Sequence, residues 1–320
     1  MLSILAVTAP FFALVAAGYA AGRLHLLPES AIPGLNVFVQ CFALPAMLLR
    51  LAMATPISQL LDPAVLLCWL GAAALVVGLV LAVSWRRAGL KNASFGALVA
   101  TFPNSGFMGV PLLVGLLGPQ AAGPTIAVLL IDVFVTSSLC IALAQAGDAA
   151  GHGTRRALAL ALRGAFGNPL PWATALGALF SVAGVGLPGP VNVLVRMLAE
   201  AATPVALFTV GAVLWRAGQR AGHGTRWGGV AAITAVKLFV HPALVAALAL
   251  ALIALGVPLS PEQALVLTLA AALPSASNVP LLAERYRADA GPVARVVMVS
   301  TALAFFSFSA LVAWMGVQPG

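Results

Sequence analysis

Residues 101–111, TFPNSGFMGVP, interrupt an apolar run long enough to cross a membrane. Lipid cannot satisfy bare backbone groups, so a run of this kind is expected to form one unbroken helix. Here Pro103 and Pro111 remove two backbone donors, Gly106 and Gly109 relax the helical preference, and Asn104 and Ser105 place polar side chains between them. A second stretch, residues 273–280 (LPSASNVP), breaks another apolar run in the second half of the chain. Two broken membrane helices at corresponding places in two halves point to a transporter's binding site.

Composition fits that reading. The chain is 62% hydrophobic and 8% charged, where a soluble domain carries roughly 25% charge. It is therefore predicted to be an all-α polytopic membrane protein with little room for a soluble domain. A net charge of +8 would suggest nucleic acid for a soluble protein; here it is topological, and no nucleic-acid partner is expected. Cys41, Cys68 and Cys140 lie in apolar runs at no metal-ligand spacing and read as free, buried thiols, with no metal site. No Lys or Arg precedes the first apolar run, so a cleaved signal peptide is not expected.

A span needs about 20 apolar residues. Ten such segments are predicted, at 3–22, 33–53, 63–84, 93–118, 123–145, 169–187, 191–215, 229–256, 262–284 and 293–315. Most connections are short and rich in Pro and Gly, suited to tight reversals. The longest, 146–168, reads either as a plain cytoplasmic linker between halves 1–145 and 169–320, or as carrying a short amphipathic surface helix at 155–166.

Loop charge sets the orientation. Arg23, Arg86, Arg87, Lys91, Arg155, Arg156, Arg163, Arg216, Arg220, Arg226, Arg285, Arg287 and Arg295 all follow odd-numbered spans, and the loops after even-numbered spans have no cation. The positive-inside rule then puts the odd-to-even loops in the cytoplasm and both termini outside, in a cell (inner) membrane. Five spans per half is an odd number, so the halves enter the bilayer in opposite directions. Traces of repetition agree: Pro33, Asn36 and Pro45 of span 2 resemble Pro190, Asn192 and Pro204 of span 7. Spans 4 and 9, which carry the breaks, are counterparts. The expectation is two inverted five-helix repeats whose broken helices meet near the midplane.

At these residues the chain resembles the auxin efflux carrier family, which includes plant auxin transporters and bacterial carriers of malonate and related carboxylates. The resemblance rests on Asn104, Gly106, Phe107, Met108, Gly109 and Pro111 of span 4, and on Lys237 and Pro242 of span 8. Pro204, Ala206, Leu207, Phe208 and Gly211 of span 7, and Pro274, Ser275, Ser277 and Asn278 of span 9, add to it. It implies a scaffold of spans 1, 2, 6 and 7, a transport core of spans 3–5 and 8–10, and substrate at the crossing of the broken helices. The scaffold leaves room for a homodimer. The plant members' long central hydrophilic loop is missing, which separates this chain from auxin itself as cargo.

A broken helix exposes N–H groups where its second half begins and C=O groups where its first half ends. The N–H end carries partial positive charge and attracts anions. Asn104, Ser105, Ser275, Ser277 and Asn278 are placed to cap those ends or bind substrate, Gly106 and Gly109 to let a ligand approach the backbone, and Pro103, Pro111 and Pro274 to line the same substrate site. The bland alternative is a pair of kinked, packed helices. Ionisable residues within spans are functional candidates by default. Lys237 and His241, four apart on one helix face, are joined by Asp132 of span 5. Lys237 is a candidate for attracting a carboxylate, and Asp132 or His241 for carrying a coupling proton. A fixed Asp132–Lys237 ion pair is the structural alternative, and for His241 a packing role. Arg196 and Glu200 read as a structural pair, and Arg50, Trp85, Trp215, Trp227 and Tyr286 as interfacial anchors.

Few carboxylates lie in the spans, so H+ coupling or facilitated diffusion fits better than a sodium cage, although carbonyl and Asn oxygens at the breaks suit one Na+. With no Gly-Lys-Ser/Thr phosphate loop, ATP drive is not expected, and no cofactor is implied. The expected function is a secondary carrier of a small organic anion. The alternatives are a sodium-coupled anion symporter of the bile-acid type and an anion channel; an intramembrane enzyme built on Asp132 and His241 lacks any motif.

Overall fold

The computed structural model describes residues 2–146, 166–220 and 227–317. Within them the chain is all helix apart from turns and two short extended breaks. The helices are α1 (Leu2–Arg23), α2 (Ala31–Ala54), α3 (Pro63–Thr101), α4 (Ser105–Leu117), α5 (Pro119–Ala146) and α6 (Pro169–Ala183) in the first part. They continue as α7 (Gly189–Arg220), α8 (Trp227–Ala254), α9 (Pro261–Ala272), α10 (Val279–Arg285) and α11 (Ala290–Trp314). Six are long and apolar enough to cross a membrane: α2, α3 with the turn before it, α5, α7, α8 and α11. The other expected spans fall on α1, on the shorter α6, and on helices interrupted at 102–104 and 273–278. Nearly all of the expected linker, with Arg155, Arg156 and Arg163, lies outside the described residues, as does Arg226.

Two local devices shape the long helices. Gly89 adopts φ 76°, ψ 155° inside α3 and splits it, a backbone conformation that a residue with a Cβ resists. In α2, α4 and α8 the helix widens to a π-turn at Val39–Ala43, Ser105–Gly109 and Val236–Val240, each two residues before a proline (Pro45, Pro111, Pro242). A proline ring clashes with the carbonyl four residues back, and in all three helices that carbonyl lies in the widened turn. A fourth such turn, Asp132–Thr136 in α5, has no proline and opens on Asp132.

Packing divides the helices into two groups. α1 lies along α7, and α6 along α2. At the first contact the backbones touch: a Cβ added to Gly18 would sit 1.9 Å from the Phe208 carbonyl oxygen, and one added to Gly211 would sit 1.9 Å from that of Val15. Apolar burial gives no drive between helices in lipid, so such close approach through small residues is how they associate. Trp215, expected at the interface, is instead buried beside Gly22 in this contact. Cys41 is exposed, whereas Cys68 and Cys140 are buried as expected.

The second group is α3, α5, α8, α9 and α11 around the interrupted segments. Here the capping residues also join helices. Asp62 Oδ1 accepts from the Ala64 N–H at 2.8 Å, and Asp62 Oδ2 accepts from Gln263 Nε2 at 2.7 Å. Gln263 belongs to a capping box with Ser260, so the first turns of α3 and α9 share one hydrogen-bonded group.

Candidate functional site

The two breaks meet. Asn104 N–H donates to the Pro274 carbonyl at 2.8 Å, and Ala276 N–H donates to the Phe102 carbonyl at 2.9 Å. Pro103 and Ser275 thus face each other as an antiparallel bridge. Backbone groups that each break would have left without partners inside lipid satisfy one another.

Side chains add to this joint. Ser275 Oγ donates to the Val99 carbonyl at 2.7 Å, and its N–H donates to Ser300 Oγ at 3.2 Å. Ser105 Oγ donates to the Pro103 carbonyl at 3.2 Å. Pro103, Asn104, Ser105, Gly106, Pro111, Pro274, Ser275 and Ser277 are all buried, and Asn278 is half-buried. The Asn104 carbonyl accepts from the N–H groups of Met108 and Gly109, starting α4 by backbone alone. Neither Asn104 nor Asn278 caps its helix through its side chain. The Asn104 amide nitrogen is buried and has no hydrogen-bond partner. Gly109 does not open the backbone to a ligand, because Leu273 fills the space beside it, 2.7 Å from where a Cβ would be. Leu129 and Leu44 flank Gly106 at looser distances of 3.5 and 3.9 Å.

Behind the second break lies a polar cluster that is fully buried. Lys237 Nζ donates to the Ala271 carbonyl at 2.6 Å, in the last turn of α9 and two residues before the break. It also lies 3.3 Å from His241 Nδ1. The His241 ring packs on Trp69 with centroids 5.3 Å apart, and Trp69 Nε1 donates to Asp132 Oδ1 at 3.0 Å. Thr136 Oγ1 donates to the same oxygen at 3.0 Å. Asp132 Oδ2 and His241 Nε2 have no partner. The three candidates therefore converge, with Asp132 and Lys237 also joined through Trp69 and His241. Nothing in the sequence alone marks Thr136 or Ser300 as part of this site. For Trp69 a usable signal exists, since tryptophan belongs at membrane interfaces and this one is deep in a span.

The remaining candidates stand apart. Arg196 and Glu200 are 3.9 Å apart and exposed on α7, which makes them a surface pair of small energetic weight. Arg50 Nη1 donates to Asn192 Oδ1 at 2.8 Å, tying the end of α2 to the start of α7. Trp227 stacks under the Arg295 guanidinium at 5.1 Å. Among the described residues no group of three or more His, Cys, Asp or Glu side chains is arranged to hold a metal.

A family model described as "Membrane transport protein" matches residues 3–312. The chain is 30% identical over 323 residues to a protein named "Putative malonate transporter" from Rhizobium meliloti strain 1021, covering 97% of this chain and 95% of that protein. It is 26% identical over 286 residues to "Uncharacterized transporter YfdV" from Escherichia coli K12, covering 87% and 86%.

Proposed function

Because this chain belongs to the membrane transport protein family, the auxin efflux carriers, we propose that it is a secondary carrier of a small organic anion, a carboxylate, which binds where the broken helices cross. The observation that carries this reading is the Asn104 amide nitrogen, buried at the paired breaks with no acceptor. An unsatisfied buried donor costs about 1–3 kcal/mol. A carboxylate oxygen arriving at the crossing would relieve that cost, with Ser105 next in the chain and Ser277 and Asn278 on the opposite break.

Alternating access needs two halves that can rock against each other, and the helix order supports that arrangement. With α3 divided at Gly89, α4 joined to its second part across the first break, and α9 joined to α10 across the second, ten membrane segments result. The pairs α1–α7 and α6–α2 exchange when the halves are exchanged, as an inverted repeat requires. Each pair brings a glycine against a backbone carbonyl, Gly18 on Phe208 and Gly177 on Leu49. We assign these four helices to the scaffold. The loop charges favour an inner-membrane orientation with both termini outside the cytoplasm. Exposed apolar side chains such as Leu179, Leu194 and Met197 on α6 and α7 offer a face for lipid or for a second copy.

The coupling reading follows from Lys237. Its amine nitrogen already donates to the carbonyl at the end of α9, one of the oxygens near the breaks that would suit a sodium ion. This favours proton coupling through Asp132 or His241, or facilitated diffusion, over sodium symport. The test is uptake of labelled malonate, malate and indole acetate into proteoliposomes. Saturable uptake with counterflow is expected for the wild type, and loss of it for Asn104→Ala protein that remains monodisperse. Full transport by Asn104→Ala would refute the site, and very high unitary conductance would mean a channel.

A further inference from the structure

A cavity of about 180 Å³ borders the crossing and plays no part in the reading so far. It has three walls. α7 contributes Val213 and Arg216, the second break and α10 contribute Ser277 and Glu284, and the first turn of α11 contributes Gly291 and Ala294. It runs from exposed Glu284 to buried Ser277. Ser277 directly follows Ala276, whose N–H pairs with Phe102 at the joint between the breaks.

Among the described lining residues Arg216 is the one cation and Glu284 the one acid. The start of α11 adds little positive field, because Asp289 Oδ1 already accepts from the Gly291 N–H at 3.2 Å. Arg216 is half-buried at the last turns of α7, where a guanidinium can reach into the cavity and still meet water. Whatever else the guanidinium touches, an arginine keeps its charge at any pH the protein meets. Low-dielectric walls focus the field of a single charge along a cleft of this kind.

We propose that this cavity is a carboxylate antechamber on the cytoplasmic side, in which Arg216 draws a small organic anion inward toward Ser277. It rests on the carrier reading above for its orientation and for the charge of its cargo. Glu284, on the opposite wall and on the element that continues the second break, opposes Arg216 and limits how strongly an anion is held. That balance suits a passage site, since a strongly held anion would not proceed to the crossing.

The experiment places Ser277→Cys in a chain whose Cys41, Cys68 and Cys140 are replaced by alanine. Labelling is timed in inside-out vesicles with an anionic and a cationic methanethiosulfonate, each rate divided by that reagent's rate with a free thiol. The anionic reagent is expected to be favoured about fivefold, as one unit charge several ångströms away produces in a watery cleft. Arg216→Gln is expected to abolish that preference or turn it toward the cationic reagent, because Glu284 remains, Arg216→Lys to keep it, and Glu284→Gln to increase it. An unchanged ratio in Arg216→Gln, or labelling of Ser277→Cys from the other face alone, overturns the proposal. Labelling needs no turnover. A chain that moves no carboxylate but keeps the Arg216-dependent preference therefore loses the carrier reading and retains the anion-selective antechamber.

Discussion

Lys237 of α8 donates to the Ala271 carbonyl of α9 at 2.6 Å, a hydrogen bond between two helices of the bundle. It satisfies a helix end that the break leaves without a continuing turn. Lys237→Met keeps most of the side-chain volume and removes the donor. It is expected to lower stability by about 1–3 kcal/mol, the cost of stranding a buried acceptor, and to abolish uptake. Thermal unfolding in detergent and malonate flux measure the two effects; wild-type values for both would deny Lys237 this role.

The same contact bears on the coupling ion. Replacing Na+ by choline at fixed pH is expected to leave malonate uptake unchanged. A fall to background would restore the sodium symporter and require a cation site elsewhere.

Asn104→Asp changes one atom type and adds a negative charge at the joint. An anionic substrate is then expected to bind about tenfold more weakly or worse, because like charges brought together cost several kcal/mol. Half-saturation in the uptake assay reads this directly. An unaltered value would locate the substrate away from Asn104.

Gly18→Val forces a side chain into the Phe208 backbone. Overpacking of this kind costs about 1–3 kcal/mol, and more where backbone must move. The variant is expected to give little monodisperse protein by size-exclusion chromatography, while the same change at Gly78, which has nothing within 4 Å of a built Cβ, is expected to be tolerated.

Asp62 and Gln263 can be tested as a pair. Asp62→Ala removes the cap of α3 and the bridge to α9, and is expected to cost about 0.5–2 kcal/mol. In a double-mutant cycle with Gln263→Ala, a coupling of about 0.5–1.5 kcal/mol is expected. Strict additivity would show that the two caps act independently.

The sequence reveals the breaks because their chemistry is local: Pro103, Gly109 and Pro111 within an apolar run disturb a helix whatever surrounds it. It reveals Asp132, Lys237 and His241 because charge in a span is conspicuous. What each of them touches is another matter. The acceptor of Lys237 is a peptide carbonyl at Ala271, and an alanine advertises nothing about its backbone. Trp69 resembles any large apolar residue until its indole N–H is seen against Asp132. Trp215 matches an interfacial anchor in sequence, but the space beside Gly22, set by the α1–α7 contact, draws it inside.

The joint between the breaks is made by peptide groups of Phe102, Asn104, Pro274 and Ala276, not by their side chains. A fastening of that kind does not depend on which side chains it carries. On the proposed reading, substitutions at the crossing are expected to alter what is recognised while the fastening persists, which would put new cargo specificities within reach of few mutations.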